Sequence, residues 1–237
     1  YLAEVWINGV FAGAYEGGET TFEFDVTDSI RAEGDNLLAV RVLNPTHQPI
    51  DGIVLNQTPH RNKYIPPMCG GSYNSGGIMY PVELRSVPPV YITDVFARPD
   101  IQTGNIGVTV SASNAGSETV SGTLSLSLAP AGGGEVLQTV EQQVEFPAGL
   151  SEHEFNVPIA QPRLWTLEDP FLYRVTATAA AAEKRPHQYS VRCGFRDFRV
   201  VDGYFHLNGK RVFLKSTHTG NHMPVGQQAG VVGDLGR

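Results

Sequence analysis

The stretch Gly194-Phe-Arg-Asp-Phe-Arg-Val-Val-Asp-Gly-Tyr-Phe-His-Leu-Asn-Gly-Lys-Arg-Val-Phe-Leu-Lys-Ser-Thr-His-Thr-Gly-Asn-His222 decides how the chain is read. Asp202-Gly203 and Asn208-Gly209 each tolerate the positive φ angles of a tight two-residue turn. Apolar-rich runs flank both turns, so a short β-meander is expected. Phe205 and Leu207 fall on one face of a strand, as do Val212 and Leu214. After Lys215 the sequence turns polar, through Ser216, Thr217, His218, Thr219, Gly220 and Asn221, and regular structure is expected to give way to a loop.

Residues 194–200 and 205–215 of this stretch resemble the passage in glycoside hydrolase family 2 where an immunoglobulin-like domain leads into a catalytic TIM barrel. That family contains β-galactosidases, β-glucuronidases and β-mannosidases. The resemblance implies that Val212 to Lys215 lie at or near the first barrel strand. It also implies that the polar loop after them faces the sugar and that the chain upstream is scaffold.

At 237 residues the chain has room for two ordinary domains, each with a core. A hydrophobic content of 41%, with 26 glycines and 16 prolines, suits a turn-rich β protein. No apolar run approaches the ~20 residues that cross a bilayer, so no membrane partner is expected. The net charge is −7 and the basic residues are scattered, which gives none of the clustered positive field that nucleic acid requires. The densest group, Arg192, Arg196 and Arg199, is interleaved with apolar residues and reads as a solvated or salt-bridged strand face. Cys69 and Cys193 stand in different domains and make neither a disulfide framework nor a metal site. By period-two counting Cys193 shares a face with Tyr189, Val191 and Phe195, which points to a buried apolar role.

The first residues, Tyr1-Leu-Ala-Glu-Val-Trp-Ile-Asn-Gly9, carry neither an initiator methionine nor a signal pattern and read as the middle of a strand. The end, Val231-Val-Gly-Asp-Leu-Gly-Arg237, has no cap, so a chain cut at both ends is expected. Up to about residue 44, Val5 and Ile7, Phe22 and Phe24, then Leu38, Val40 and Val42 alternate as half-buried strands. Turn chemistry separates them at Asn8-Gly9, Glu16-Gly17-Gly18 and Glu33-Gly34-Asp35-Asn36. This stretch resembles the jelly-roll sugar-binding domain that opens family 2 enzymes, with its earlier strands missing.

No periodicity runs from Pro45 to Gly77, a loop longer than compact domains usually hold. Its His47, Asp51, Asn56, His60, Tyr64, Tyr73 and Asn74 are types that hydrogen-bond or stack on sugars, and a merely solvated loop fits equally well. The loop closes on Gly76-Gly-Ile-Met-Tyr-Pro-Val82, which resembles the family's Gly-Gly-Ile-aromatic-Arg-Pro-Val motif with Tyr80 in place of the arginine. An aspartate that some relatives place just upstream is Gly71 here, which leaves Asn74 as the residue that the resemblance brings nearest to an active site.

Pro88-Pro89 marks a boundary, since paired prolines cannot continue an interior ladder. Beyond it Ile106, Val108 and Val110 alternate, then Leu124, Leu126 and Leu128, then Phe155, Val157 and Ile159. Roughly seven short strands suit an immunoglobulin-like sandwich. Pro162-Arg-Leu-Trp165 and Glu168-Asp-Pro-Phe-Leu-Tyr173 resemble a family pattern, and the expected role is structural: Trp165 plugs the end of the sandwich and Tyr173 packs inside it. The alanine run Ala177 to Ala182 has helical propensity, yet its place between two strands favours a hairpin.

Retaining glycoside hydrolysis needs two carboxyl groups ~5 to 5.5 Å apart. The resemblance places both, as glutamates, late in the barrel, and the asparagine that precedes the family's acid/base glutamate finds no Asn-Glu pair here. No catalytic residue is therefore expected in this chain. His218 and His222 have the i, i+4 spacing of zinc ligands on a helix, but Gly220 and Pro224 argue for a loop, and no metal is expected. The resemblance instead makes His218, Asn221 and His222 donors at the barrel mouth, with Asn74 beside them as substrate-binding residues. Neither a Gly-x-Ser-x-Gly elbow nor a phosphate-binding glycine loop occurs, and no cofactor is expected.

The expected architecture is all-β, in three parts. Residues 1–87 form a sugar-binding-like jelly roll, 88–194 an immunoglobulin-like β-sandwich, and 195–237 a hairpin and the start of a TIM barrel. The expected function is that of a fragment of a β-glycoside hydrolase with a carbohydrate substrate, and a homo-oligomer in the complete enzyme stays open. A freestanding carbohydrate-binding or structural β-sandwich protein is the alternative.

Overall fold

Thirteen strands and one 3-10 turn account for the regular structure in a computed structural model that describes residues 2–17, 20–43, 77–78, 80–181 and 185–215. None of these described residues is α-helical, so the expectation of an all-β chain holds. The residues group into two compact units, Tyr1–Glu83 with Ser216–Arg237, and Leu84–Lys215.

In the first unit, strands β1 (Leu2–Ile7), β2 (Val10–Glu16) and β3 (Leu38–Leu43) form an antiparallel sheet in the order β2-β1-β3. Asn8 and Gly9 take φ of 53° and 83°, the pair of left-handed residues that a two-residue hairpin turn needs, and Ile7 faces Val10 across it. On one face Glu4 reaches Arg41 at 3.2 Å, and the rings of Trp6 and Phe11 lie 5.4 Å apart. The other face carries Val5 beside Val40 and Gly13.

Phe22 and Phe24 depart from expectation, because residues 21–26 join no ladder among the described residues. Their spacing serves ring packing over the sheet instead. Phe22 stacks on Tyr15 at 4.7 Å and tilts against Phe24 at 5.5 Å. Phe24 in turn covers Gly13, where an added Cβ would lie 2.4 Å from a ring carbon. The segment then ends in a short turn, Thr27–Ser29, after the Asp25 carboxylate accepts both the backbone N–H and the hydroxyl of Thr27. Those two bonds hold the Asp25 carboxyl below its usual range.

The turn at Asn8 is also a fastening point. Its Nδ2 donates to the Ser29 carbonyl at 2.7 Å and to Asn36 Oδ1 at 2.8 Å, and its Oδ1 accepts the Leu37 N–H. Asn36 Oδ1 accepts the Arg31 N–H as well. The two amides thereby hold the segment between β2 and β3 across the end of the sheet.

The second unit contains β4 (Val90–Pro99), β5 (Asn105–Asn114), β6 (Val120–Pro130), β7 (Gln138–Phe146), β8 (Gly149–Pro158), β9 (Tyr173–Ala181) and β10 (His187–Cys193). These seven make two antiparallel sheets, β4-β5-β8 and β10-β9-β6-β7, facing each other as the alternation predicts. Ile106, Val108 and Val110 from one sheet and Leu124, Leu126 and Leu128 from the other are completely enclosed. The alanine run is strand through Ala181. Ala177, Ala179 and Ala181 point into the core, and Ala177 pairs with Leu126, so small and large side chains sit side by side. Packing on both neighbours overrides alanine's helical propensity here.

Asn114, 3% exposed, is the buried polar side chain of this core. Its Nδ2 donates to the carbonyls of Glu118 and Phe146, and its Oδ1 accepts the Gly116 N–H at 2.9 Å. Every polar atom of the amide is thus matched, as burial demands. Cys193 is buried as expected, and burial pushes its thiol up to about 11, which leaves it without nucleophilic character.

A third sheet follows in the same unit, with β11 (Phe198–Val201), β12 (Tyr204–Leu207) and β13 (Lys210–Arg211) in the order β11-β12-β13. Asp202, Gly203, Asn208 and Gly209 all take positive φ, at 49°, 79°, 49° and 77°, so both expected turns form. The ladder stops at Arg211. The Val212 N–H still donates to the Phe205 carbonyl, while Phe213 beyond it is 86% exposed.

Candidate functional site

The position of the third sheet is fixed by a joint at the end of the sandwich. The strap Pro162–Leu172 crosses that end before β9 begins. The Arg163 N–H donates to the Tyr173 hydroxyl at 2.8 Å, and the Arg163 guanidinium grips both oxygens of Asp169 at 2.6 and 2.8 Å. The same guanidinium lies 4.4 Å from the centre of the Phe171 ring. Phe171, Tyr173 and Phe195 then follow one another edge to face, at 4.9 and 5.5 Å. That geometry suits the aromatic quadrupole and carries the strap's order into the core.

Trp165 is half-buried at the centre of the joint. Leu164 and Phe195 form a parallel bridge, and the Trp165 N–H donates to the Phe195 carbonyl at 2.9 Å. Gly194 lets the indole close down, since a Cβ there would stand 3.2 Å from the Trp165 Cβ and 3.1 Å from Leu172. The Arg196 guanidinium covers the ring at 5.1 Å. The expectation that Trp165 closes the end of the sandwich is met by these contacts.

Asn208 completes the joint. Seated in the turn between β12 and β13, it donates from Nδ2 to the Trp165 carbonyl at 3.0 Å and accepts the Asp197 N–H on Oδ1 at 2.9 Å. Its own N–H donates to the Asp197 carbonyl. Asp197 pairs with Arg199 at 2.8 Å, which places one member of the expected arginine group in an exposed ion pair worth little by itself. The joint's amide, hydroxyl and carboxylate groups are engaged with the protein itself. Its chemistry is therefore to position the meander against the sandwich.

The four sequence-predicted substrate residues, Asn74, His218, Asn221 and His222, all lie outside the described residues. Tyr80, the replacement in the glycine-pair motif, is described and exposed. No group of histidine, cysteine and carboxylate side chains capable of holding a metal occurs among the described residues. The clip at Asn208 escaped the sequence reading, which treated the residue as turn chemistry alone. The available signal was an asparagine where glycine would serve the backbone equally well.

Residues 90–196, from the first residue of β4 to the residue after Phe195, match the pattern of the family described as Glycosyl hydrolases family 2. The chain is also 26% identical over 227 residues to a beta-galactosidase of Thermoanaerobacter pseudethanolicus, an alignment that covers 94% of this chain. The sandwich of this chain thus carries the family 2 pattern. A beta-galactosidase of Priestia megaterium is 29% identical over 233 residues, 96% of this chain. Among solved structures, a Bacteroides uniformis beta-glucuronidase superposes with a TM-score of 0.67 at 26% identity, covering 88% of this chain and 25% of that one. The chain spans 28% and 21% of the length of the two beta-galactosidases. The matched region is the sandwich, and it ends at the Trp165 joint, where the meander begins.

Proposed function

We propose that this chain is the accessory β portion of a β-glycosidase acting on a carbohydrate substrate. In this reading residues 1–87 form the sugar-binding-like jelly-roll domain, 88–194 the immunoglobulin-like sandwich, and 195–237 the hairpin and opening of the catalytic TIM barrel. The observation that carries it is the joint of Trp165, Phe195 and Asn208, which orients the meander directly upstream of the polar segment at Ser216. A rigid joint at that point serves an enzyme whose site must be held in place by what precedes it. The names of the relatives, beta-galactosidase and beta-glucuronidase, support a β-linked glycoside as the substrate class.

Catalysis in this reading belongs to a pair of carboxyl groups carried by the barrel, one protonating the leaving oxygen and the other attacking the anomeric carbon. The chain's own contribution is to bind and orient the sugar. Asn74, His218, Asn221 and His222 supply hydrogen-bond donors and acceptors for its hydroxyls, with no cofactor or metal. The test is substitution in the whole protein. His218→Ala and His222→Ala are expected to lower kcat/KM on an aryl β-glycoside at least about tenfold, with the melting temperature unchanged. Unchanged kinetics in both variants would remove these residues from the site.

A further inference from the structure

β4 is an edge strand of one sandwich sheet and β10 is an edge strand of the other, and the two edges lie side by side. The ladder between β4 and β5 shifts between Ile92 and Asp94, leaving Thr93 as the extra residue, with its hydroxyl donating to the Ser111 carbonyl at 3.2 Å. Such a bulge re-aims the backbone groups beside it. The Ile92 N–H points across the seam and donates to Nδ1 of His187, the first residue of β10, at 3.1 Å. We propose that His187 is a proton-sensitive clip that closes the seam between the two sheets of the sandwich.

The chemistry follows from which nitrogen is used. To accept from Ile92, Nδ1 must carry its lone pair, so the ring is neutral with its proton on Nε2. Protonation puts a second N–H where the acceptor stood, and the Ile92 N–H then faces a donor. Ile92 and Val90, both buried, lie on the strand segment that this bond holds. The charged and titratable groups around the ring, among the described residues, are few. Arg85 lies in the segment leading into β4, and Tyr91 on β4 presents its ring edge-on at 6.0 Å. On β9, the neighbour of β10, the residue opposite is Ala179. Burial and then the Arg85 charge hold the imidazole below its ordinary value of 6.5, so the clip is closed at neutral pH and opens below that value. Nothing in this inference rests on the glycosidase reading.

The experiment is residue-resolved amide exchange on the 15N-labelled chain from about pH 8 to about pH 5, a range that spans imidazole titration. Rates are normalised for the intrinsic pH dependence of exchange. The protection of Ile92 is expected to fall about fivefold further than that of Val108 and Val110 in the core, the loss of one such hydrogen bond. His187→Asn puts a non-titrating oxygen where Nδ1 stood, and Ile92 is expected to keep its protection at both ends of the range. Flat protection of Ile92 in the unsubstituted chain, or an equal fall in His187→Asn, would overturn the proposal. So would a fall of the same size in Ile92 and Val108, which would mark global acid destabilisation alone. Should the variant fail to fold, the ring nitrogen shifts of His187 decide: a proton on Nδ1 at neutral pH overturns the clip.

Discussion

Asparagine fastens three of the places where this chain reverses. Asn8 and Asn208 sit in left-handed turns and tie them to Asn36 and Trp165, while Asn114 ties a turn to the end of β7. The turns themselves are plain from the Asn-Gly pairs. The partners are not, because they lie 28, 43 and 32 residues away and only the folded chain brings them close. Asn114 offers the sharpest test, since its removal takes a buried donor from the Phe146 carbonyl. Asn114→Ala is expected to destabilise the sandwich by about 2 kcal/mol in a urea titration. A loss under about 0.5 kcal/mol, the size of a surface change, would contradict that account.

Elements follow the sequence pattern where a strand has two neighbours and depart from it where it has none. The alternating leucines and valines of β5 and β6 form strands as read, and the alanines of β9 do so against their propensity. Phe22 and Phe24 alternate equally well, yet their period spaces two rings over the sheet of the first unit. Alternation reports that side chains share a face, not that the backbone joins a ladder. The contact of Phe24 with Gly13 gives the test. Gly13→Ala forces a methyl to within 2.4 Å of the ring unless something moves, and a loss of about 1 to 3 kcal/mol is expected. Phe24→Leu alone also destabilises, but combined with Gly13→Ala it is expected to cost less than the sum, by at least about 0.5 kcal/mol. Strict additivity would mean the two residues do not touch. The candidate site was legible only in part: the Pro162–Leu172 strap and Tyr173 after it announced themselves by their aromatic residues, whereas the Asn208 clip carried no pattern of its own.

For the whole molecule, acid is the condition that separates folded from unfolded electrostatics. His187 and His153 are both held below their ordinary value of 6.5, chiefly by burial; the His153 ring stands edge-on to Phe146 at 5.5 Å, with Nε2 3.1 Å from the Ser151 hydroxyl. A histidine depressed in the folded state binds fewer protons there than in the unfolded chain. Its contribution is therefore complete above 6.5 and is lost as pH falls through the lower folded value. The urea midpoint of the sandwich is expected to be lower at about pH 5 than at about pH 7.5, and His153→Phe is expected to flatten that slope. A midpoint that rises on acidification would reverse the assigned sign.

The central proposal is that this chain serves as scaffold to a glycosidase's site without performing its chemistry. In the proposed reading the catalytic carboxyl pair belongs to the barrel, and no Asn-Glu pair occurs in the 237 residues, so the acceleration that a placed acid and nucleophile supply is not expected from this chain. The direct measurement is a colour-releasing assay of the purified chain on aryl β-galactoside, β-glucuronide and β-mannoside, run beside the whole protein. The account predicts no turnover above background from the chain alone and specific turnover of one glycoside by the whole protein. Specific turnover of any of the three by the 237-residue chain would contradict it and place a working carboxyl pair among the residues assigned here to scaffold.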